Sequence, residues 1–294
     1  MSILSRLMQL VHEPPPEFAF ELSPAGLAWV RPDDSSSLAF APLPLGTLQV
    51  NPLEDNVKDA AALARVVEQV SSQNGNRKVR PAALVLPDFC SRVTVLDFDD
   101  LPSNAEERQA LVRFRIKKTL PFDVDAAVLS FVVQSRPHTK KLDVVVAAVS
   151  MEVAARYEQP FRQAGYDPGL VTVSALSALA LGDDSTPATP TVVVKRTGRV
   201  LSLSVLHEDC LRFFRCLELD QGSTEEILDV LYPTFALIED EFGKPAQAVR
   251  ICGMALEDAA ELERVLQMKV TRARSRYGTP GEYNAGLYGL LEAT

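Results

Sequence analysis

The chain has 294 residues, 47% hydrophobic and 23% charged, a globular balance with room for one large domain or a few small ones. Its formal net charge of −9 and pI near 5.0 argue against a general nucleic-acid binder, which would be basic. Four cysteines without a CxxC pair offer neither a metal spacing nor a disulfide framework, and no apolar stretch reaches the ~20 residues of a membrane span.

The N-terminus, MSILSRLMQLV, lacks the long apolar core and cleavage site of a secretory signal. Ile3, Leu4, Leu7, Met8 and Val11 fall at helical spacing and are expected to pack on their own domain, with a weak membrane or partner contact as the alternative. Glu17–Val30 reads as strand, turn at Pro24-Ala25-Gly26, strand, and a third strand is expected around Leu38–Ala41. A helix is predicted from about Glu54 to Ser72, with Leu63, Val66, Val67 and Val70 on one face and Asn74-Gly75-Asn76 as its stop. Ala82–Leu86 is a fully apolar run of the kind found in buried strands.

Arg92–Phe98 is predicted as a strand. A helix from Ser103 to Thr119 follows, started by a Ser103–Glu106 capping box and stopped at Leu120-Pro121. Its end is basic, with Arg113, Arg115, Lys117 and Lys118, and Phe122 and Asp123 follow it. Such an end suits the helix dipole in solution; it would also suit a docking surface for a partner segment or for anionic lipid headgroups. Ala127–Val133 and Leu142–Val149 are strands. Met151–Ala164 is a helix that Pro160 should kink or split, with Gly165 as its stop. Leu170–Val173 is a strand and Ala175–Leu181 a short helix.

Gly182–Pro190 reads as a linker. Beyond it Thr191–Val194, Val200–Leu206 and Cys210–Leu217 form a second meander. His207, Glu208 and Cys210 are close in sequence, but strand alternation turns neighbours to opposite faces and argues against a metal site. Ser223 and Glu226 make a second capping box, opening a helix to Gly243. Ala248–Cys252 is a buried strand, Glu257–Leu266 a helix, Val270–Ala273 an edge strand and Glu282–Leu290 a last helix. Meander, helix and strand thus occur twice, which predicts a structural duplication with a cleft between its halves.

The layout resembles the actin-like ATPase fold, and the middle of the chain resembles the PilM family of type IV pilus assembly proteins, relatives of FtsA and of the cytoplasmic part of GspL. Three stretches carry the likeness: Ala83–Phe122, with its LVLP strand end, VTVLDF strand, capped helix and PFD exit; Val144–Val173, with the AGY turn before its last strand; and Ala248–Val270. The resemblance implies duplicated α/β actin-like (ribonuclease H-like) halves. The first would be 1–88 plus 170–188, an inserted α+β block 89–169, and the second half 189–294, its helical subdomain cut to about 223–243.

In this fold two Asp-x-Gly turns hold phosphates and the metal's waters. Here the first turn offers Glu21-Leu22-Ser23, with Ser23 in place of glycine and Pro24 lacking a backbone donor. At the second, Lys195-Arg196-Thr197 stands where Asp-x-Gly is expected, reversing the charge. At the adenosine-side turn only Gly253 remains. Magnesium needs carboxylate or phosphate oxygens, so ATP with magnesium is disfavoured and hydrolysis is not expected, although Lys195 and Arg196 could pair with phosphates. The resemblance implies a non-catalytic cytoplasmic scaffold, peripheral to the inner membrane, that binds the N-terminal tail of a PilN-like membrane protein alongside other pilus assembly proteins and the motor ATPase. It places the peptide groove between the first half and the inserted block, approximately at Ala83–Phe98 and Ser103–Thr119. Arg113, Phe114, Arg115, Lys117 and Phe122 are the candidate partner contacts, with core packing the alternative for the two phenylalanines. An ATPase or sugar kinase of the same fold is the competing reading, and dimer or filament formation through the inserted block a third.

Overall fold

Two five-stranded sheets with the same strand order form the frame. The structure, a computed structural model, describes residues 16–72, 79–136, 140–182 and 189–293. The N-terminal stripe, the Asn74-Gly75-Asn76 stop and most of the Gly182–Pro190 linker lie outside the described residues. In the first sheet, β1 (Phe18–Ser23), β2 (Gly26–Arg31) and β3 (Asp34–Pro42) are an antiparallel meander. Helix α1 (Ala60–Ser72) leads to β4 (Arg80–Leu86), which pairs parallel with β1. The second sheet repeats this with β9 (Thr191–Thr197), β10 (Val200–His207) and β11 (Cys210–Glu218). Helix α5 (Thr224–Phe242) then leads to β12 (Ala248–Cys252), parallel to β9.

Each sheet gains a parallel fifth strand, β8 (Tyr166–Val173) in the first and β13 (Lys269–Arg272) in the second. The orders are β3-β2-β1-β4-β8 and β11-β10-β9-β12-β13, so the duplication is real. β13 lies at the sheet edge, as the sequence indicates.

Between β4 and β8 the chain builds an antiparallel sheet, ordered β5-β7-β6, from β5 (Ser91–Phe98), β6 (Ala127–Ser135) and β7 (Leu142–Ser150), with helix α2 (Ala105–Ile116). Alternation assigns the faces of β7. Val144, Val146 and Ala148 pack with Val112 and Ile116 of α2, while Val145, Ala147 and Val149 turn toward the first half. Helix α3 (Met151–Gln163) and β8 return to the first half, where Tyr157, Phe161 and Tyr166 pack with Phe20 and α1. Within 89–169, the three-stranded sheet and α2 thus account for 91–150, and the remainder packs on the first sheet.

The central strands have no polar face to spare. All six residues of β1 are buried, as expected where both sides of a sheet are covered. Phe20, Leu22, Leu84 and Leu86 face α1; Ala19, Ala28, Ala83 and Val85 face helix α7 (Ala285–Ala293). Helix α7 follows the second sheet in sequence but packs on the first, against α4 (Ser174–Ala178), β1 and β2. Helix α6 (Leu256–Leu266) and α5 cover the second core.

Several predicted bounds shift for identifiable reasons. Helix α2 starts at Ala105 and not at a Ser103 box: Asn104 Oδ1 accepts from the N–H groups of Glu106 (2.8 Å) and Glu107 (3.1 Å), doing the capping one residue later. Its last turn tightens after Ile116 through Thr119 N–H to Ile116 O. Helix α1 begins at Ala60 because Asn56 ties its amide into the preceding turns and Asp59 Oδ1 accepts from Ala62 N–H. Pro160 does not split α3. It removes one bond in the last turn, while buried Tyr157 and Phe161 hold the helix to the core. The Ser223–Glu226 box is present, and α5 ends at Gly243 in the left-handed conformation. Among the described residues no helix is long and apolar enough to cross a membrane.

Candidate functional site

The two meander hairpins turn into the cleft between the halves with the same register. Ser23 pairs with Gly26 across the first corner and Thr197 with Val200 across the second. Two residues earlier stand Glu21, beside Val85 of β4, and Lys195, beside Cys252 of β12. Glu21 and Lys195 are therefore equivalent positions of the duplication, and carry opposite charges. Both belong to strands, as do Ser23 and Thr197; the corners themselves are Pro24-Ala25 and Gly198-Arg199, so the expected turn at Lys195-Arg196-Thr197 falls further along.

Both charged side chains are buried, Glu21 at 2% and Lys195 at 3% exposure. A buried ammonium must be paired, and its partner is a residue that the motif reading omitted. Asp88 opens the 3-10 turn after β4, and its Oδ2 lies 2.8 Å from Lys195 Nζ. Ser202 Oγ donates to the same oxygen at 3.2 Å, and Ala175 N–H donates to Oδ1 at 2.6 Å. Lys195 also donates to Thr197 Oγ1 at 2.8 Å. Glu21 accepts from the Ser174 hydroxyl and, at 2.7 Å, from Leu287 N–H. Burial pushes the Glu21 carboxyl up, and Lys195, Ser174 and Leu287 only partly offset it. Burial acts to lower Lys195, but the charges of Asp88 and Glu21 prevail and hold it above its usual range, so it stays an ammonium. A signal for Asp88 exists in the sequence: it follows the C-terminal end of a buried parallel strand, where ligand sites of α/β folds lie.

The cleft beside this cluster is a cavity of about 420 Å³, walled by Ser23, Pro24, Gln49, Asn51, Phe89 and Tyr283 among others. A magnesium ion is poorly served by the residues present. Each oxygen of Glu21 and Asp88 already accepts a hydrogen bond, and the position opposite Glu21 is a cation that repels a metal ion. Arg196 is not available for phosphates either: it pairs with Asp258 at 2.9 Å and donates to Gly222 O. Gly253 has a local reason to persist. Its φ is +72°, and a Cβ there would sit 2.5 Å from Arg196 O. Among the described residues no group of three or more His, Cys, Asp or Glu side chains is arranged around a metal position.

The basic end of α2 lies elsewhere. Arg113 Nη1 donates to Val124 O at 2.7 Å, fastening the turn that follows the helix. Arg115 lies over the Phe98 ring. Phe122 is half-buried in the core of the inserted block, whereas Phe114 is 71% exposed and Lys117 is exposed. These residues sit on the α2 side of the three-stranded sheet. The groove between that sheet and the first half opens on its other side. It is an apolar trough of about 240 Å³, lined by Val128 and Ser130 of β6, Ala147 and Val149 of β7, and β8 from Gly169 to Val173. Of the residues expected there, Leu86 and Ser91 line it and the basic helix does not. Period-two alternation in β7 separates the two surfaces, and a one-residue shift in orientation is below what apolar patterning resolves.

No protein-family model matches the sequence, and no curated relative does. Solved structures do match. A chain of the PilM–PilN type IV pilus biogenesis complex superposes with a TM-score of 0.71 at 18% identity, covering 96% of this chain and 100% of that one. A Bacteroides thetaiotaomicron protein with an actin-like ATPase fold and unknown function gives 0.53 at 8% identity, covering 93% and 94%. The cytoplasmic domain of EpsL, an inner-membrane component of the type II secretion system of Vibrio cholerae, gives 0.53 at 10% identity, covering 94% and 93%. With the duplicated sheets, the cleft between them and the inserted block, these matches establish that the chain has the actin-like ATPase fold and is PilM-like in architecture.

Proposed function

We propose that the chain is a non-catalytic scaffold of a type IV pilus or related secretion assembly, holding the cytoplasmic tail of a PilN-like membrane protein. The observation that carries this reading is the apolar groove. It lies between the first half and the inserted block, and β6 and β8, the outermost strands of their sheets, border it. An extended tail can gain apolar anchoring there and main-chain pairing along a strand edge. The match to the PilM–PilN complex supports the choice of partner. The protein is then peripheral to the inner membrane on the cytoplasmic side, tethered by that partner and able to pass its position to other assembly proteins and the motor ATPase. ATP hydrolysis is not part of the reading, because the cleft spends its carboxylate oxygens on internal bonds.

Titration of a fluorescent peptide copied from such a tail tests the groove. Val128→Asp places a charge on a groove wall that is already 48% exposed and should weaken binding at least tenfold. Phe114→Ser and Arg115→Glu on the opposite side should leave it unchanged. The reverse pattern would move the site to the basic end of α2. A melting-temperature rise that requires both ATP and magnesium would support the enzymatic reading instead.

A further inference from the structure

The Lys195–Asp88 pair joins more than two side chains. Lys195 belongs to the second half. Asp88 lies where the first sheet ends and the inserted block begins, in the turn between β4 and β5. A second set of bonds joins the inserted block to the second half on its far side. Gln134 of β6 reads the backbone of β11 through both amide atoms, Nε2 donating to Leu211 O at 3.1 Å and Leu211 N–H donating to Oε1 at 2.9 Å. Asp143 of β7, 1% exposed, lies between Arg136 at 2.5 Å and Arg212 of β11 at 3.0 Å. Strands β6 and β7, one wall of the apolar groove, are thus fastened to the second half. The other wall, β8 and α3, belongs to the first. If the inserted block keeps its bonds to β11 and moves with the second half, an opening of the cleft changes the distance between the groove walls.

We propose that Lys195 is a built-in tie that holds the cleft closed without a ligand and thereby fixes the width of the groove. Where a nucleotide and its metal would bridge two halves of such a fold, this chain bridges them with its own ammonium. The closed arrangement is then permanent and does not respond to nucleotide concentration. That the groove receives a peptide rests on the function proposed above; the tie itself does not.

Hydrogen–deuterium exchange on the full chain tests it. Lys195→Met with Asp88→Asn removes both charges together and leaves an amide oxygen for Ala175 N–H. The expected result is at least tenfold faster exchange at the corners Ser23–Gly26 and Thr197–Val200 and in β6, with β12 unchanged, and a several-fold loss of tail-peptide affinity. Unchanged exchange in those segments would overturn the tie and leave a local buried pair. A wild-type protein that binds no tail peptide would defeat the proposed function and leave the exchange result to decide the tie. Should the double variant fail to fold, the wild type with magnesium and ATP provides the same decision: exchange at the two corners should stay constant, and marked protection by nucleotide would refute the tie. Thr197→Val, which deletes one acceptor of Lys195, should give a smaller increase at the same segments; no increase there counts against the tie.

Discussion

Replacing Lys195 by methionine should be among the most damaging substitutions in this chain, out of proportion to the volume it changes. Asp88 is 5% exposed. Without the ammonium 2.8 Å away, its carboxylate keeps only the Ser202 hydroxyl and Ala175 N–H. Breaking a buried pair from one side costs ~3–5 kcal/mol, because the surviving charge is left uncompensated. At ~2–4 °C per kcal/mol for domains of this size class, the melting temperature should fall by about 10 °C. Adding Asp88→Asn removes the stranded charge and should recover most of the loss, giving a coupling energy of about 2 kcal/mol or more in a double-mutant cycle. Lys195→Asp, which returns the carboxylate expected at this turn, should be worse than methionine, since no cation would then face Glu21 and Asp88. Denaturant melts of the single and double variants measure all of this. A cost under about 1 kcal/mol for Lys195→Met, with no gain from the second change, would refute the argument that the pair is a buried, dry contact.

Other substitutions separate structural from surface roles. Burial raises the Glu21 carboxyl above its ordinary value of 4.5, so the folded state holds this proton more tightly than the unfolded chain. The resulting stability is full below about pH 4.5 and is lost as pH rises through the folded value; melts across pH should show Glu21→Gln lacking that decline. Arg113→Ala frees Val124 O and should cost roughly 1.5–3 kcal/mol, as for a charged hydrogen bond, whereas Phe114→Ser on the exposed face should stay within ~0.5 kcal/mol. Gly253→Ala forces a left-handed residue, ~1–2 kcal/mol, against the Arg196 carbonyl, and should lower the melting temperature by several degrees.

Much of the architecture is legible in the chain itself. The apolar runs at Ala82–Leu86, Leu142–Val149 and Ala248–Cys252 mark buried strands because a strand covered on both faces has no place for polar side chains. The repeat of meander, helix and strand marks the duplication. That Ser23 and Lys195 depart from the Asp-x-Gly pattern is legible only through the resemblance to the actin-like fold, and both residues lie in strands just before the corners. Helix ends are less legible. Asn104 caps where Ser103 looked adequate, and Asp59 caps a helix expected to start near Glu54, because several nearby polar residues can serve and the final choice depends on which turn packs.

Pairing over long separations is where reading the chain stops. Nothing near Lys195 in sequence announces that its counter-ion is Asp88, 107 residues earlier, or that Gln134 reads the edge of β11. Nor does the basic stretch Arg113–Lys118 reveal that it faces away from the groove. Local residue order determines what each segment can form and which side chains cannot be left in water. Which buried charge meets which, and which face of a strand becomes a surface, is decided only when sheets pack, because those contacts depend on distances that the chain closes in three dimensions.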